Sequence, residues 1–346
     1  MANAERECRA VASATTARVH DVLWHTAPDR EPEDAAIARP ARLSRVVASL
    51  SLLLAGSACA AAPFLVRDHV GDGVFTAGIE GPATGPDGAL YVVNIGKDGT
   101  VGRVNADGSA ETFLTLPTGS VGNGIRFGAD GRMFIADYAG HNVLQVDPST
   151  RAVTVFAHLP DAHQPNDIAR APDGTLYASD PDWARPDNGQ LWRIDRDGTV
   201  HLLERGMGTT NGVEVSPDGA RLYVNESVQR NVWVYDRAAD GSIANKRLLV
   251  RFADHGMDGM RCDVDGNLYI ARYDAGVVAI VSPAGELLRE VPLTGRKPTN
   301  VAFGGTDGRQ VFVTLQDRGA VETFLAERPG REYGGAPLQS QPVPSR

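Results

Sequence analysis

Six oxygen-bearing side chains recur at one position of a repeating pattern in this chain of 346 residues. Each stands seven residues before an Asp-Gly pair; the six are Glu80, Asn123, Asn166, Asn211, Asp258 and Asn300. Carboxylate and carboxamide oxygens, with no Cys or His among them, suit a hard divalent cation, Ca²⁺ first and Mg²⁺ or Mn²⁺ next, and they disfavour Zn²⁺. Turn and strand-end preferences of Asn and Asp explain one or two such residues. They do not explain six in register.

The Asp-Gly pairs that define this register are themselves evenly spaced. They are Asp87-Gly88, Asp130-Gly131, Asp173-Gly174, Asp218-Gly219, Asp265-Gly266 and Asp307-Gly308, at spacings of 43, 43, 45, 47 and 42 residues. A short run precedes each pair and an apolar run such as "TLYASD" follows it. This arrangement predicts a tight hairpin at each pair, with φ > 0 at both central positions.

A second pair of strand-like runs follows each hairpin, so each unit holds about four strands. Six such units, without amphipathic helices between them, predict an all-β fold, a six-bladed β-propeller. The run "FLVRDHV" (64–70) is expected to supply the outer strand that closes the ring. Since the first strand of each blade lines the central channel, the six ring residues should converge on its axis. We therefore expect a divalent metal at one mouth of the channel.

The N-terminal sixty residues differ from the rest in composition. Residues 1–45 read as a disordered extension or as a start codon assigned too far upstream, and residues 46–62 resemble a signal peptide. Two arginines precede the apolar run Val46–Ala55, which is too short to span a bilayer, and small residues follow it. This predicts an exported protein, periplasmic or secreted. Two alternatives stay open: lipoprotein anchoring at Cys59, and a disordered extension with a fortuitous apolar patch.

The remaining boundaries and partners follow from composition. The propeller is expected over residues 63–330, followed by a flexible tail over 331–346. A formal net charge of −9 argues against a nucleic-acid partner. Cys262 is the one cysteine between residues 63 and 346, so a disulfide framework or a Cys-based zinc site is excluded there. We expect a monomer that acts on a small molecule and has no membrane-spanning segment in its mature form.

Four motifs, each in its own repeat, give the chain a family resemblance. They are Glu-Gly-Pro (80–82), Pro-Asn-Asp (165–167), Thr-Asn-Gly (210–212) and Met-Asp-Gly (257–259). Over roughly residues 75–325 the chain resembles the SMP-30/gluconolactonase/LRE family of six-bladed propellers, which includes regucalcin-type lactonases. The resemblance implies a metal-dependent lactone hydrolase, using calcium or zinc. It also implies that Glu80, Asn211 and Asp258 ligate the metal, and that Asn166 ligates it directly or through water and faces the substrate.

The resemblance also suggests roles for residues around this set. Asp258 is the candidate to accept a proton from the attacking water, and Asn123 and Asn300 are expected to contact substrate or nearby water. Gln164 stands where sugar-lactonase relatives often carry an Arg that binds substrate hydroxyls, which puts a polyhydroxylated or phosphorylated sugar lactone in doubt. His163 is either a substrate contact or proton shuttle at the mouth, or a loop histidine bonded to backbone.

Two other functions remain open from the sequence. A propeller lyase of the streptogramin-lyase kind would use mouth histidines, here His163 and His255, together with a glutamate. A non-catalytic binding propeller of the NHL kind would not require two acids and four amides around one axis, so this ring argues against it. The insertion at 180–189, which contains Trp183 and Arg185, is either a wall of the pocket or an ordinary exposed loop.

Overall fold

The computed structural model describes residues 62–333, which form six four-stranded antiparallel sheets arranged as the blades of a propeller. The first strand, β1 (Arg67–Val70), belongs to the last blade. Blade 1 contains β2 (Phe75–Thr84), β3 (Leu90–Ile95), β4 (Thr100–Val104) and β5 (Ala110–Thr115). Blade 2 contains β6 (Gly122–Phe127), β7 (Met133–Asp137), β8 (Asn142–Asp147) and β9 (Ala152–His158). The all-β, six-bladed prediction is confirmed.

The remaining blades repeat this order. Blade 3 contains β10 (Ile168–Arg170), β11 (Leu176–Asp180), β12 (Gly189–Ile194) and β13 (Val200–Met207). Blade 4 contains β14 (Thr210–Val215), β15 (Arg221–Glu226), β16 (Asn231–Arg237) and β17 (Ile243–Arg251). Blade 5 contains β18 (Met260–Cys262), β19 (Leu268–Arg272), β20 (Val277–Val281) and β21 (Leu287–Pro292). Blade 6 contains β22 (Pro298–Gly304), β23 (Gln310–Leu315) and β24 (Ala320–Leu325), to which β1 adds the outer strand.

The ring is closed by strands from the two ends of the described chain. Strand β1 pairs antiparallel with β24, with Arg67 opposite Thr323, as expected for the run at 64–70. The innermost strands β2, β6, β10, β14, β18 and β22 each contact the innermost strands of both neighbouring blades. These six strands therefore surround the central channel.

The core lies between the blades. Strand β3 is buried at all of its positions, because neighbouring blades cover both of its faces. Tyr91 from this strand, for example, packs edge-on against Phe127 of the next blade, with ring centroids 5.4 Å apart. Outer strands such as β21 are mostly exposed. Cys262 is a buried free thiol in an inner strand, as expected.

The Asp-Gly turns are hairpins, but the turn type predicted from the sequence is wrong. Only the Gly of each pair has φ > 0, between 71° and 92°. In blade 1 the Gly88 N–H donates to Gly85 O over 2.9 Å, and Gly85 N–H donates to Ala89 O over 2.9 Å. This is a type I turn followed by a left-handed glycine. The Asp87 side chain accepts from the backbone N–H of Ala89, so Asp caps the turn without needing φ > 0.

The packed chain extends three residues beyond the expected boundary at 330. A 3-10 helix, Arg331–Tyr333, follows β24. Arg331 forms a buried ion pair with Glu214 of β14 at 2.8 Å and donates to Arg170 O over 2.7 Å. These contacts fix the start of the predicted tail against the channel.

Several predictions fall outside the described residues: the N-terminal extension, the export signal, lipidation of Cys59, and the tail from residue 334 onward. They stay predictions. Within residues 62–333, no helix has the length and apolar character needed to cross a membrane.

Candidate metal centre and active site

Five of the six ring residues line one cavity at a mouth of the channel. This mouth cavity measures about 260 Å³, and its wall includes Glu80, Asn123, Asn166, Asn211 and Asp258. The sequence prediction of a convergent ring is therefore correct for these five side chains.

Irregular strand pairing aims these side chains at the axis. The register of β2 with β3 shifts on both sides of Glu80, and the pairing of β6 with β7 shifts between Gly122 and Ile125. The inner strand of blade 4 shows the same irregularity between Thr210 and Val213. Such bulges redirect a side chain out of the regular alternation. Asn166 and Asp258 reach the axis differently, since each lies two residues before its strand begins.

The residues that follow the ring positions let the strands approach closely. Gly81 has φ +56°, and a Cβ there would lie 1.9 Å from the backbone oxygen of Asn123. A Cβ on Gly259 would lie 1.9 Å from Cγ of Asn300. A larger residue at position 81 would push blades 1 and 2 apart, and one at position 259 would displace the Asn300 side chain. The Glu-Gly and Asp-Gly pairs of the ring therefore allow close approach of the strands and do not form turns.

The two acids of the ring face each other. Glu80 is buried, and its Oε2 accepts from the Gly81 backbone N–H over 2.7 Å. Burial raises the pKa of Glu80 to about 7, with the charge of Asp167 adding to the effect. Burial also raises the pKa of Asp258 well above its usual value, and the adjoining Glu80 carboxyl raises it further. Two carboxyl groups so placed favour either a shared proton or a cation between them.

The amides of the ring present oxygens that the protein leaves unbonded. The Oδ1 atoms of Asn123, Asn166 and Asn211 are buried and accept no hydrogen bond from any described residue. Asn211 uses its Nδ2 to donate to Ser227 Oγ over 3.2 Å, which leaves its Oδ1 facing the cavity. An unpaired buried carbonyl costs about 1–3 kcal/mol unless something else satisfies it. Buried acceptor oxygens beside two carboxylates fit a divalent cation.

No cluster of three or more His, Cys, Asp or Glu side chains at metal-binding spacing occurs within residues 62–333. A cation held by the predicted ligands Glu80, Asn166, Asn211 and Asp258 would therefore depend on amide oxygens for half of its protein contacts. Oxygen-only donor sets of this kind suit Ca²⁺ or Mg²⁺.

Asn300 is the ring residue that the mouth cavity does not include. Its Nδ2 donates to Glu80 Oε2 over 3.1 Å, and its Oδ1 accepts from Arg261 Nη1 over 3.2 Å and from the Val301 backbone N–H over 2.9 Å. With both ends of its amide engaged, Asn300 supports Glu80. The sequence had suggested that Asn300 contacts substrate or nearby water, but its side chain does not reach the cavity wall.

Gln164 and His163 are also absent from the cavity wall. The carboxylate of Asp180 accepts from both of their backbone N–H groups, over 2.6 and 2.9 Å, and this fixes the loop. Nε2 of His163 lies 2.9 Å from the side-chain nitrogens of both Asn188 and Gln190. The histidine therefore belongs to a loop network, although its ring contacts side-chain amides and not the backbone that the second sequence reading named.

Other groups at the mouth were not all expected. Trp183 lines the mouth cavity, as one reading of its loop predicted, whereas Arg185 turns away to pair with Asp182 at 2.8 Å. Tyr138 and Gln316 also line the mouth cavity, and nothing in their spacing had marked them. Both lie in loops between strands, where position relative to the axis cannot be read from a repeat.

Below the ring, the channel holds charged side chains that the sequence analysis passed over. Asp167 is fully buried and contacts Arg126 at 3.4 Å and Arg261 at 3.3 Å. Each arginine stands three residues after a ring position, in an inner strand. A charged side chain at this position was the feature of the sequence that could have predicted the cluster. Arg261 also donates to Asn300 Oδ1 over 3.2 Å, so this buried cluster is connected to the ring.

Comparison with known proteins accounts for this arrangement. A model of the SMP-30/Gluconolactonase/LRE-like region matches residues 79–317. The chain belongs to this family. The four motifs that carried the resemblance lie inside the matched region, as do all six ring residues.

Two curated relatives align at 30% identity. The gluconolactonase of Zymomonas mobilis aligns over 216 residues, which are 56% of this chain and 60% of that protein. The pentonolactonase XacC of Haloferax volcanii aligns over 242 residues, which are 68% of this chain and 80% of that protein. The alignment thus spans less than two thirds of the gluconolactonase.

A solved structure confirms the fold. A regucalcin from Agrobacterium tumefaciens, described as a calcium-binding protein, superposes with a TM-score of 0.68 over 78% of this chain and 95% of that protein. Its sequence identity of 22% supports the fold alone.

Proposed function

We propose that this protein is a hydrolase that opens a lactone or a related ester with the help of a divalent cation. The observation that carries the proposal is the mouth cavity, where the buried carboxyl group of Glu80 and the half-buried one of Asp258 meet three amide oxygens that no described residue satisfies. The gluconolactonase and the pentonolactonase, both named for lactone hydrolysis, support this reaction class.

Glu80, Asn166, Asn211 and Asp258 are the residues that would hold the cation. When bound there, a divalent cation polarises the lactone carbonyl and stabilises the negative charge that develops on its oxygen. The all-oxygen donor set favours calcium, with magnesium, manganese or zinc as alternatives.

The remaining chemistry belongs to the chain. Asp258 lies half-buried at the edge of the mouth, where a water molecule can reach it. Its carboxylate is the group placed to take a proton from that water as it attacks the carbonyl carbon, and to return the proton to the leaving alkoxide. Asn300 and the Gly81 N–H hold Glu80 in place during the reaction. Asn123, with a free amide oxygen at the wall, is positioned to accept a hydrogen bond from substrate or water.

The lyase alternative loses support from the position of its histidines. His163 is held by Asn188 and Gln190 and is absent from the mouth cavity. His255 lines a neighbouring cavity and remains the one test of that reading, since a His255→Ala variant of a lyase would be inactive. The binding-propeller alternative does not account for buried, unsatisfied oxygens around two acids, which cost stability unless a ligand pairs with them.

The experiment is a panel of lactones and esters assayed with metal-free protein, with added calcium, and with excess chelator. Hydrolysis of at least one lactone that disappears with chelator and returns with calcium is the expected result. Hydrolysis unaffected by chelator would contradict the role of the cation. An intact protein that binds calcium and hydrolyses nothing would contradict the enzymatic role. Export to the periplasm or outside the cell, and a monomeric state, remain parts of the proposal that this assay does not address.

A further inference from the structure

A second and larger cavity lies beside the mouth cavity. We call it the side cleft: it measures about 510 Å³, and its wall includes Trp183, Val228, His255, Met257 and Tyr273. Trp183, Asp258 and Gln316 border both cavities, so the two adjoin each other at the candidate base. The mouth cavity alone is smaller than the range of about 300–1,000 Å³ usual for small-molecule sites, and the side cleft brings the combined site into that range.

The side cleft carries apolar side chains that face solvent. Trp183 is 44% exposed and Val228 is 56% exposed. The other large apolar side chains with high exposure in the described residues lie on outermost strands or just before β1: Leu65, Val155, Leu248, Leu287 and Leu288. Trp183 and Val228 are thus the pair gathered at the channel mouth, on loops of blades 3 and 4. Single exposed apolar residues are ordinary, but a group beside a reactive carboxylate indicates a binding surface.

Polar side chains also line the side cleft, but four of them bond within the protein. Ser227 donates to Met257 O and the Tyr273 hydroxyl donates to Gln316 Oε1. Gln316 donates from Nε2 to Ala77 O over 2.9 Å, and Arg230 donates from Nη1 to Ala253 O over 3.0 Å. A polyhydroxylated substrate needs many free hydrogen-bonding side chains, and Gln164 is not placed to provide one at the mouth. An alkyl or aryl group needs only apolar walls.

From this arrangement we infer that the substrate carries an apolar alkyl or aryl substituent, which lies in the side cleft against Trp183 and Val228 while its lactone ring occupies the mouth beside Asp258. The inference rests on the proposed function and adds the substrate class to it. Each substituent methylene buried in the cleft should raise kcat/KM by up to about fourfold.

The test uses calcium-loaded full chain and γ-lactones with alkyl substituents from methyl to hexyl, next to an aldonolactone. We expect kcat/KM to rise with chain length. The hexyl-to-methyl ratio should fall at least fivefold in Val228→Asn and in Trp183→Ala. Val155→Asn, a change of an equally exposed valine on outer strand β9, should keep the wild-type ratio. A flat or falling trend with chain length, or a ratio that Val228→Asn leaves unchanged, overturns the inference.

A binding measurement separates this inference from the proposed function. The matching 4-hydroxyalkanoates, the ring-opened products, are titrated into the protein by calorimetry. Affinity that rises with chain length and loses this trend in Val228→Asn supports the side cleft even if no lactone is hydrolysed, in which case only the proposed function fails. Lactone hydrolysis with no dependence of rate or affinity on chain length overturns the side cleft and leaves the proposed function standing.

Discussion

The carboxyl groups of Glu80 and Asp258 adjoin each other in the mouth cavity, although they come from blades 1 and 5. Burial raises the pKa of both, that of Glu80 to about 7. In metal-free protein, the pair therefore stabilises the fold while it holds a proton. Loss of that proton leaves two negative charges side by side and lowers the stability of the fold. A cation can replace the proton. This exchange links stability, pH and metal binding.

Metal-free protein should lose stability as pH rises from about 4.5 to 7. The folded state holds protons on this pair that the unfolded state has already released, so deprotonation favours unfolding. The raised pKa of Glu80 corresponds to about 2–3 kcal/mol of unfolding free energy across that range. Urea titrations at pH 5 and pH 7.5 measure the loss, and saturating calcium should remove it by stabilising the ionised pair.

Two single substitutions provide the controls for this pH dependence. Asp258→Asn removes one carboxyl group and should make the stability of metal-free protein less sensitive to pH. Asp265→Asn, seven residues later in an exposed turn paired with Arg328, should behave as wild type. Equal stability of metal-free protein at pH 5 and pH 7.5 would show that the two carboxyl groups do not interact as described.

Asn211 and Asn300 share a register position but should respond differently to truncation. Asn211→Ala removes an unsatisfied amide oxygen, so calcium affinity should fall at least about tenfold, with a smaller effect on metal-free stability. Asn300→Ala removes one of the two donors to Glu80 and one of the acceptors of Arg261, so the unfolding free energy should fall by about 1–3 kcal/mol. Calcium titration and urea unfolding of both variants distinguish a ligand from a support. The same pattern in both would contradict the assignment.

Asp258 is proposed both to hold the cation and to move a proton, and kinetics can separate the two roles. Asn211→Ala should recover most of its activity at saturating calcium, because it lacks only affinity. Asp258→Asn should remain about 10²–10⁴-fold lower in kcat even when calcium saturates, because an amide cannot accept the proton. Full recovery of Asp258→Asn at high calcium would leave it a ligand only.

The ion pair between Arg331 and Glu214 should be important for stability. Both side chains are buried, and removing one partner of such a pair costs about 3–5 kcal/mol because the other charge stays buried. Arg331→Ala should therefore lower the unfolding free energy by that amount in urea titrations. Arg328→Ala breaks an exposed pair with Asp265 and should cost less than about 1 kcal/mol. Equal effects would indicate that the 3-10 helix does not anchor the chain.

The sequence was sufficient to predict the blades and most of the ring, because both depend on local rules. Asp-Gly turns at regular spacing mark the hairpins, and counting back seven residues locates the innermost strands. The predicted turn type was nevertheless wrong, because the Asp side chain caps the turn and that residue does not need φ > 0.

Contacts between residues that are distant in sequence determine the parts of the site that the sequence pattern could not predict. Asn300 has the same register as Asn211, but Arg261 from the neighbouring blade takes its oxygen. His163 and Gln164 were placed at the mouth because they precede Asn166, yet Asp180 binds their backbone and turns the loop away. Neither Arg261 nor Asp180 is recognisable as a partner until the chain is folded, since contacts between separate strands and loops leave no periodic signal.

The most direct test of the metal centre is equilibrium calcium binding measured together with lactone hydrolysis on the same preparations. Wild-type protein should bind calcium with about one ion per chain at the mouth. Asp258→Asn should lose binding at the same calcium concentration, and Asp265→Asn should retain it. Across these samples, hydrolysis should follow occupancy. Wild-type protein that hydrolyses a lactone at full rate with no bound cation would contradict the account.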